Sequence, residues 1–528
     1  MAIFHPYGLM LFNSMTYVLF FALFVALYYA PVMRRAKSQL CLVLAGSYAF
    51  YAAWDWRFLA LIMATTLTSY FTAIAIEGHR RKWVLVLNIL FNVGLLAFFK
   101  YFNFFAENLI ALLGYVGWEV DWVLIHVLLP VGISFYTFQA IGYTIDVWRG
   151  EIRAERNPVL FASFIAYFPQ LVAGPIERAR DLLPQLGRVH KWDYPAAVSG
   201  MRLILWGMFK KVAVADTCGE LVNKLYAPDV ASSYWGLGAY AAAFFFLIQI
   251  YCDFSGYCEI AKGSARILGV ELMYNFRRPY FSRNTLEFWH RWHISLMRWF
   301  TAYIYIPLGG SRAGRARTYR NVMTVFLLSG LWHGASWGFV VWGLLCGLIY
   351  CVQKAMRLPD CRKAAPPTWR DVPAMFLTFN LYLVPMVFFR IPGVGEALEL
   401  CLLYVVPWTL VFVCGVYMLR YIIRKLPHIA CVPSIANKTG KILIIAGAVL
   451  LPCIYPMVCL HALFLILTVF TFVTEWRTRA QGAKMFLLPE RHRGRMALYM
   501  ALYLCILAYG MFGLYPISSA QQFIYFRF

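Results

Sequence analysis

FSRNTLEFWHRWHISLMRWFTAYIYIPLGGSR (residues 281–312) and LLSGLWHGASWGFVVWG (residues 327–343) bound the stretch that decides the fold. It carries two histidines, His293 and His333, inside otherwise apolar sequence. Ionisable groups at membrane depth are costly to hold, so they are functional candidates by default. The rest of the chain reads as a scaffold that keeps these two imidazoles in lipid.

Composition makes the same point. The chain has 528 residues, of which 62% are hydrophobic, 18% aromatic and 14% charged, with a mean hydropathy of +0.64. A soluble protein of this size carries roughly a quarter charged residues, so the surplus apolar surface needs lipid to cover it. The expected fold is an all-α polytopic membrane protein, one integral membrane domain over 1–528, with the bilayer as its first partner. The net charge of +24 is split into short clusters bordering apolar runs, such as Arg34, Arg35 and Lys37, or Arg312, Arg315, Arg317 and Arg320. That arrangement fits the positive-inside bias and anionic headgroups. It lacks the basic face of a soluble fold that a nucleic-acid partner requires. The 13 cysteines are scattered, and Cys252/Cys258 and Cys346/Cys351 have neither zinc-ligand nor redox spacing, so no metal is expected.

In chain order, Tyr7–Val32 is long enough to cross a bilayer and has no cleavage site, so it reads as a retained helix. Arg34–Lys37 after it places the N-terminus outside and the first loop in the cytoplasm. Further apolar spans are Gln39–Trp54, Phe58–Ile76, Trp83–Phe99, Phe104–Val116, Val123–Val147, Leu160–Val172, Ala196–Ala215, Tyr234–Cys252, Ala302–Leu308, Asn321–Cys351, Ala374–Phe389, Leu400–Leu419, Ile442–Val473 and Met496–Leu514. Several are too short to span, and non-helical backbone at depth survives only inside protein or beside water, so re-entrant segments are expected among roughly eleven to thirteen membrane elements. Residues 125–350 carry the polar inserts and form the core; residues 355–528 form a C-terminal helical flank.

At 100° per residue, Glu287–Phe300 projects as one interfacial helix, with Glu287, His290, Arg291 and Arg298 on a charged face and His293 at the edge of an apolar face with Trp289. Residues 329–340 project more sharply. Ser329, His333 and Ser336 form one stripe beside Gly330, Gly334 and Gly338, a small-residue series that admits a neighbouring helix or a thin ligand. On that projection Ser329, Gly330, Trp332, Gly334, Ser336, Gly338, Trp289 and Asp253 are candidates to line a substrate path. Backbone amides of the IPLGGSR turn and Arg312 are candidates for a donor phosphate. Each imidazole has a plainer reading as a buried hydrogen-bonding group, and Ser329 beside His333 lacks a third, orienting group for serine catalysis.

These residues resemble the membrane-bound O-acyltransferase family, and within it the bacterial alginate O-acetyltransferase membrane-subunit branch. The likeness is carried by LPVGISFYTFQAIGYTIDVWRG, FPQLVAGPIERARDLLPQL, YCDFSGYCEIAKGSARILG, FRRPYFSRNTLEFWHRWHISLMRWF, YIPLGGSR, LSGLWHGASWGFVVWG and the closing FIYFRF. It implies helices around a central funnel and tunnel, with His333 as the catalytic histidine and His293 as the second motif histidine. It also implies acetyl-CoA or a similar thioester as donor substrate, with no bound cofactor. Also implied are a periplasmic or extracellular acetyltransferase partner of the SGNH-hydrolase type, polysaccharide export machinery, and multi-pass placement in the inner membrane. His290 and Met297 depart from the pattern of that branch.

The reaction expected is acyl transfer from a thioester to a hydroxyl of an exported, alginate-like polysaccharide. A neutral alcohol is a weak nucleophile, and a neutral imidazole at His333 can take its proton as attack proceeds. The rival reading is a transporter or flippase in which the histidines and Asp253 form a proton relay; the internal repeat common in transporters is not found in the sequence.

Overall fold

A computed structural model describes residues 10–78, 81–118, 127–227, 233–312, 314–358, 365–425, 467–475 and 499. The described chain is helical throughout its core, with no strands among the described residues. Most of the expected spans Ile442–Val473 and Met496–Leu514, and the closing FIYFRF, lie outside the described residues.

Helix α1 (Met15–Tyr28) is capped by Ser14, whose hydroxyl accepts from the Tyr17 amide. α2 (Ala36–Asp55) and α3 (Leu59–Ile76) follow the expected spans. α4 (Lys82–Tyr115) runs unbroken for 34 residues, where two spans are expected. Lys100 and Asn103 interrupt the apolar run but not the backbone, because neither residue type breaks a helix as Gly or Pro does. α5 (Ile133–Arg149) leads into α6 (Pro158–Ala166), the single turn α7 (Phe168–Leu171) and α8 (Ala179–Leu186). Residues 161–177 are buried throughout, so the non-helical AGPIER backbone at 173–178 is surrounded by protein. This is the re-entrant arrangement that Leu160–Val172 predicts.

α9 (Tyr194–Met208) continues through a π-helical turn at Phe209–Ala215 into α10 (Asp216–Leu225), and both pack against the 35-residue α11 (Ser233–Ile267). α9 and α11 meet through paired glycines. A Cβ on Gly200 would lie 2.6 Å from the Gly263 carbonyl, and one on Gly207 would lie 2.5 Å from that of Gly256. With no side chains between them the two helices approach at backbone distance. The chain then forms α12 (Thr285–Arg291), α13 (Ile294–Phe300), a second π-helical turn at Thr301–Tyr305, α14 (Arg315–His333) and α15 (Trp337–Ala355). It ends, as far as 425, with α16 (Val372–Leu381), α17 (Leu383–Arg390), α18 (Val394–Leu400) and α19 (Val406–Lys425).

Among the described residues, six segments are long and apolar enough to cross a membrane, at 36–76, 82–115, 236–267, 337–355, 369–390 and 394–418. The chain is a multi-pass, all-α membrane protein. The ends of several helices gather on one face: the Tyr29 hydroxyl donates to the Ile267 carbonyl (2.7 Å), Gln39 to that of His190 (2.8 Å), and the Ala154 amide to Glu77 (2.8 Å).

Candidate functional site

Both histidines lie where a continuous helix is expected and a helix break is found. Glu287–Phe300 is not one helix. α12 starts on Asn284, whose Oδ1 accepts from the Glu287 amide (2.9 Å), and stops at Arg291. His293 then takes a left-handed conformation (φ 42°) before α13 begins. That region is unfavourable for most side chains, though less so for histidine, and residues held there cluster at functional sites. The break is held by Asn275, whose carbonyl accepts from the Ile294 amide (2.9 Å) and whose side chain accepts from the Ser295 amide (3.1 Å) and hydroxyl (2.9 Å). Periodicity cannot report this, because the partner lies 19 and 20 residues before the two residues it bonds.

The second break follows His333. α14 ends there, and α15 starts after the Gly334–Ser336 turn. The two helices pack antiparallel through Gly330 and Gly343: a Cβ on Gly330 would meet the Phe339 backbone, and one on Gly343 would lie 2.5 Å from the Phe326 carbonyl. Gly334 faces the Phe339 ring and Gly338 faces the Phe388 carbonyl at 2.5 Å. The three glycines predicted to border one slot instead pack against protein, Gly330 and Gly334 against Phe339 and Gly338 against Phe388. Their stripe exists only on a continuous helix, and the turn at 334–336 removes it. Ser329 is buried on α14 and Ser336 stands at the start of α15.

The breaks bring the two imidazoles against one indole. The Trp332 ring centre lies 5.8 Å from that of His293 and 4.9 Å from that of His333. His333 is further enclosed by Trp342 (4.9 Å) and Phe389 (5.3 Å), and His293 by Phe254 (4.8 Å). His333 keeps 7% of its surface exposed and His293 keeps 2%.

Below this aromatic cluster is a cavity of about 1130 Å³ between α5, the 176–181 segment, residues 273–278, α12, α13 and α14. Its wall is strongly basic: Arg178, Arg277, Arg278, Arg291, Arg298 and Lys354 all face it. Trp289 also lines it, as expected of a path residue, and His290 stands exposed at its wall. Neither motif histidine lines the cavity. Aromatic rings separate them from it: Phe138 and Trp289 face the cavity and lie 5.6 Å from Trp332 and 6.4 Å from Trp342, the rings that in turn contact the imidazoles. Arg312 is exposed next to Ser311, which lines the rim; Arg312 itself does not.

Acidic groups in the wall organise the arginines. Glu287 is buried and takes Arg283 (3.0 Å) and Arg291 (2.5 Å), rather than sharing a solvated face with His290. Tyr303 donates to Asp146 (2.8 Å), and Arg149 and Arg178 lie 5.5 and 5.7 Å from its ring centre. Glu177 accepts from the Met273 amide (2.5 Å); its burial pushes the carboxyl from 4.5 up to about 7, against that hydrogen bond. A carboxyl with a raised folded-state value contributes its full stability below the unfolded value. That stability is lost as pH rises from about 4.5 through about 7. Glu177→Gln should remove this loss, so the variant's melting temperature should gain on the wild type between pH 5 and 8. A difference that is constant across that range would show that the buried carboxyl does not titrate there.

Asp253 is elsewhere. It accepts from Lys211 (2.6 Å), which also pairs with Asp216 (2.7 Å), while the adjoining Lys210 pairs with Glu259 (2.8 Å). Both lysines belong to the π-helical turn after α9 and are buried. Asp253 is thus part of an ion-pair cluster between α9 and α11, and not a lining residue of the cavity. Sequence reasoning missed these lysines, Lys100 and Asn275. The signal for the lysines was present, since a cation inside an apolar run is as conspicuous as an imidazole. Asn275 offered none.

Comparison with known proteins is consistent with this geometry. Residues 152–389 match the family model for MBOAT, the membrane-bound O-acyltransferase family. The chain is 40% identical over 399 residues to the probable alginate O-acetylase AlgI of Azotobacter vinelandii, covering 74% of this chain and 76% of that protein. It is 33% identical over 425 residues to the peptidoglycan O-acetyltransferase of Helicobacter pylori (74% and 79%). It is 24% identical over 344 residues to the teichoic acid D-alanyltransferase of Streptococcus thermophilus (54% and 83%).

Proposed function

As the chain belongs to the membrane-bound O-acyltransferase family, and is a membrane O-acetyltransferase that moves an acetyl group to a hydroxyl, we propose that it draws acetyl from a cytoplasmic thioester for an exported polysaccharide. Alginate is the acceptor class that its 40% identical relative suggests. The observation that carries the reading is the basic cavity ending at the aromatic cluster that holds two imidazoles.

The donor is acetyl-CoA or a close analogue. Its phosphates suit the arginine-rich wall, where guanidinium and phosphate form short, charge-assisted hydrogen bonds. Its thin pantetheine arm reaches toward the Trp289 and Phe138 layer. The cavity side faces the cytoplasm in this reading, with the N-terminus outside and the protein in the inner membrane, as the positive-inside bias of its basic loops supports.

His333 serves as general base. Its neutral imidazole takes the acceptor hydroxyl proton as the oxygen attacks the thioester carbonyl. The carbon–sulfur bond of the tetrahedral intermediate then breaks, and the imidazolium returns its proton to the departing thiolate. The products are an O-acetyl ester and the free thiol. Such proton transfer contributes about 10²–10⁴-fold. His293, against the same indole, orients the reacting groups. A periplasmic or extracellular acetyltransferase partner of the SGNH-hydrolase type and the export machinery receive the product.

The test is acetyl-CoA turnover in proteoliposomes with the donor on the cavity side. Acetylated product with stoichiometric thiol release is expected; acceptor flux without thiol release would replace the enzyme by a transporter. Arg277→Ala with Arg298→Ala should raise the donor KM about tenfold or more, since hydrogen bonds to charged groups contribute about 1.5–3 kcal/mol. An unchanged KM would remove the cavity as donor site.

A further inference from the structure

We propose that Lys100 is a positioning residue for His333, fastening the end of the helix that carries the imidazole. This rests on the reading of His333 as base. Lys100 stands 18 residues into α4, about 27 Å from its first residue at 1.5 Å per residue, and His333 stands equally far along α14. The two helices bring a half-buried cation and the residue that carries the imidazole together, with the Lys100 ammonium 3.0 Å from the His333 carbonyl.

What the cation does there is visible in its contacts. The last carbonyls of a helix have no partner within it and carry the negative end of its dipole. At the end of α14 each of the last four has found one. The Gly330 carbonyl takes the Gly334 amide (3.4 Å). The Leu331 carbonyl takes the Tyr101 hydroxyl, the Trp332 carbonyl takes the Lys100 ammonium, and the His333 carbonyl takes the same ammonium at 3.0 Å. The Lys100 nitrogen also lies 5.8 Å from the centre of the Trp332 ring. One ammonium thus holds the backbone of both the indole that contacts the two imidazoles and the His333 imidazole itself.

Among the described residues no carboxylate pairs with Lys100. A charge half-buried on an apolar helix is expensive without compensation, and here the compensation is the carbonyl end of α14. Losing it would leave two buried carbonyls unsatisfied beside the reacting group, free to turn away or draw in water. Misplacement of about 1 Å costs on the order of 10²-fold in rate.

The experiment compares Lys100→Met, which keeps length and removes charge and donors, with Lys100→Arg, which restores both. Each is reconstituted as the full chain with acetyl-CoA as donor. Lys100→Met should lower kcat about 10²-fold with the donor KM within about twofold, because the donor's phosphates are bound elsewhere; Lys100→Arg should recover at least about tenfold of that loss. Independently of activity, carbethoxylation of His333 by diethylpyrocarbonate, read by peptide mass spectrometry, should accelerate several-fold in Lys100→Met and return toward wild type in Lys100→Arg. Should Lys100→Met fail to insert, Lys100→Gln carries the same comparison with one neutral donor. Wild-type kcat and unchanged His333 modification in the uncharged variant would overturn the proposal. If His333→Ala proved active, the base assignment would fall, while the modification rates would still decide whether Lys100 holds this helix end.

Discussion

His333→Ala should insert and fold normally yet lose acetyl transfer by about 10²–10⁴-fold in kcat, with the donor KM little changed. The ring makes aromatic contacts with Trp332, Trp342 and Phe389, so removing it also leaves a small void. That effect is separable: a void lowers the melting temperature, whereas loss of the base lowers turnover at every temperature below it. His333→Gln is the sharper companion, since it nearly preserves volume and hydrogen bonding while removing an efficient proton acceptor. Full transfer by either variant, measured as thiol release in proteoliposomes, would end the assignment.

Lys211→Met should cost about 3–5 kcal/mol of stability, the usual consequence of stripping one partner from a buried ion pair. Lys211 is 1% exposed and bridges Asp216 and Asp253. With the ammonium gone, two carboxylates remain buried at the contact between α9, α10 and α11. The triple variant Lys211→Met, Asp216→Asn, Asp253→Asn should recover most of the loss, because replacing all members of a buried ionic group can be close to neutral. Thermal unfolding in detergent, followed by tryptophan fluorescence, reads both. If Lys211→Met melted with the wild type, the cluster would be a bystander. The same result bears on the relay reading: a carboxylate committed to Lys211 is poorly placed to pass protons to an imidazole.

The paired glycines explain why these lysines sit where they do. Gly200 and Gly207 let α9 press against Gly263 and Gly256 of α11, and the π-helical turn that follows, at Phe209–Ala215, carries both Lys210 and Lys211, which reach α11 at Glu259 and Asp253. Close helix contact leaves little room for water, so the charges must satisfy one another.

The apolar excess by itself required lipid and hence helices, because backbone polar groups in a bilayer must be satisfied within the segment. It also marked His293 and His333, since an ionisable side chain in such sequence stands out against its cost. What it could not supply was the geometry. A periodic projection assumes that the helix continues, and at both histidines it stops. Asn275 takes over the backbone donors at Ile294 and Ser295, and Lys100 with Tyr101 takes over the carbonyls at the end of α14. In each case a partner distant in sequence offers the hydrogen bonds that helix continuation would have supplied. Only tertiary structure can present such a partner, so only tertiary structure decided that the two imidazoles share one indole above a basic cavity.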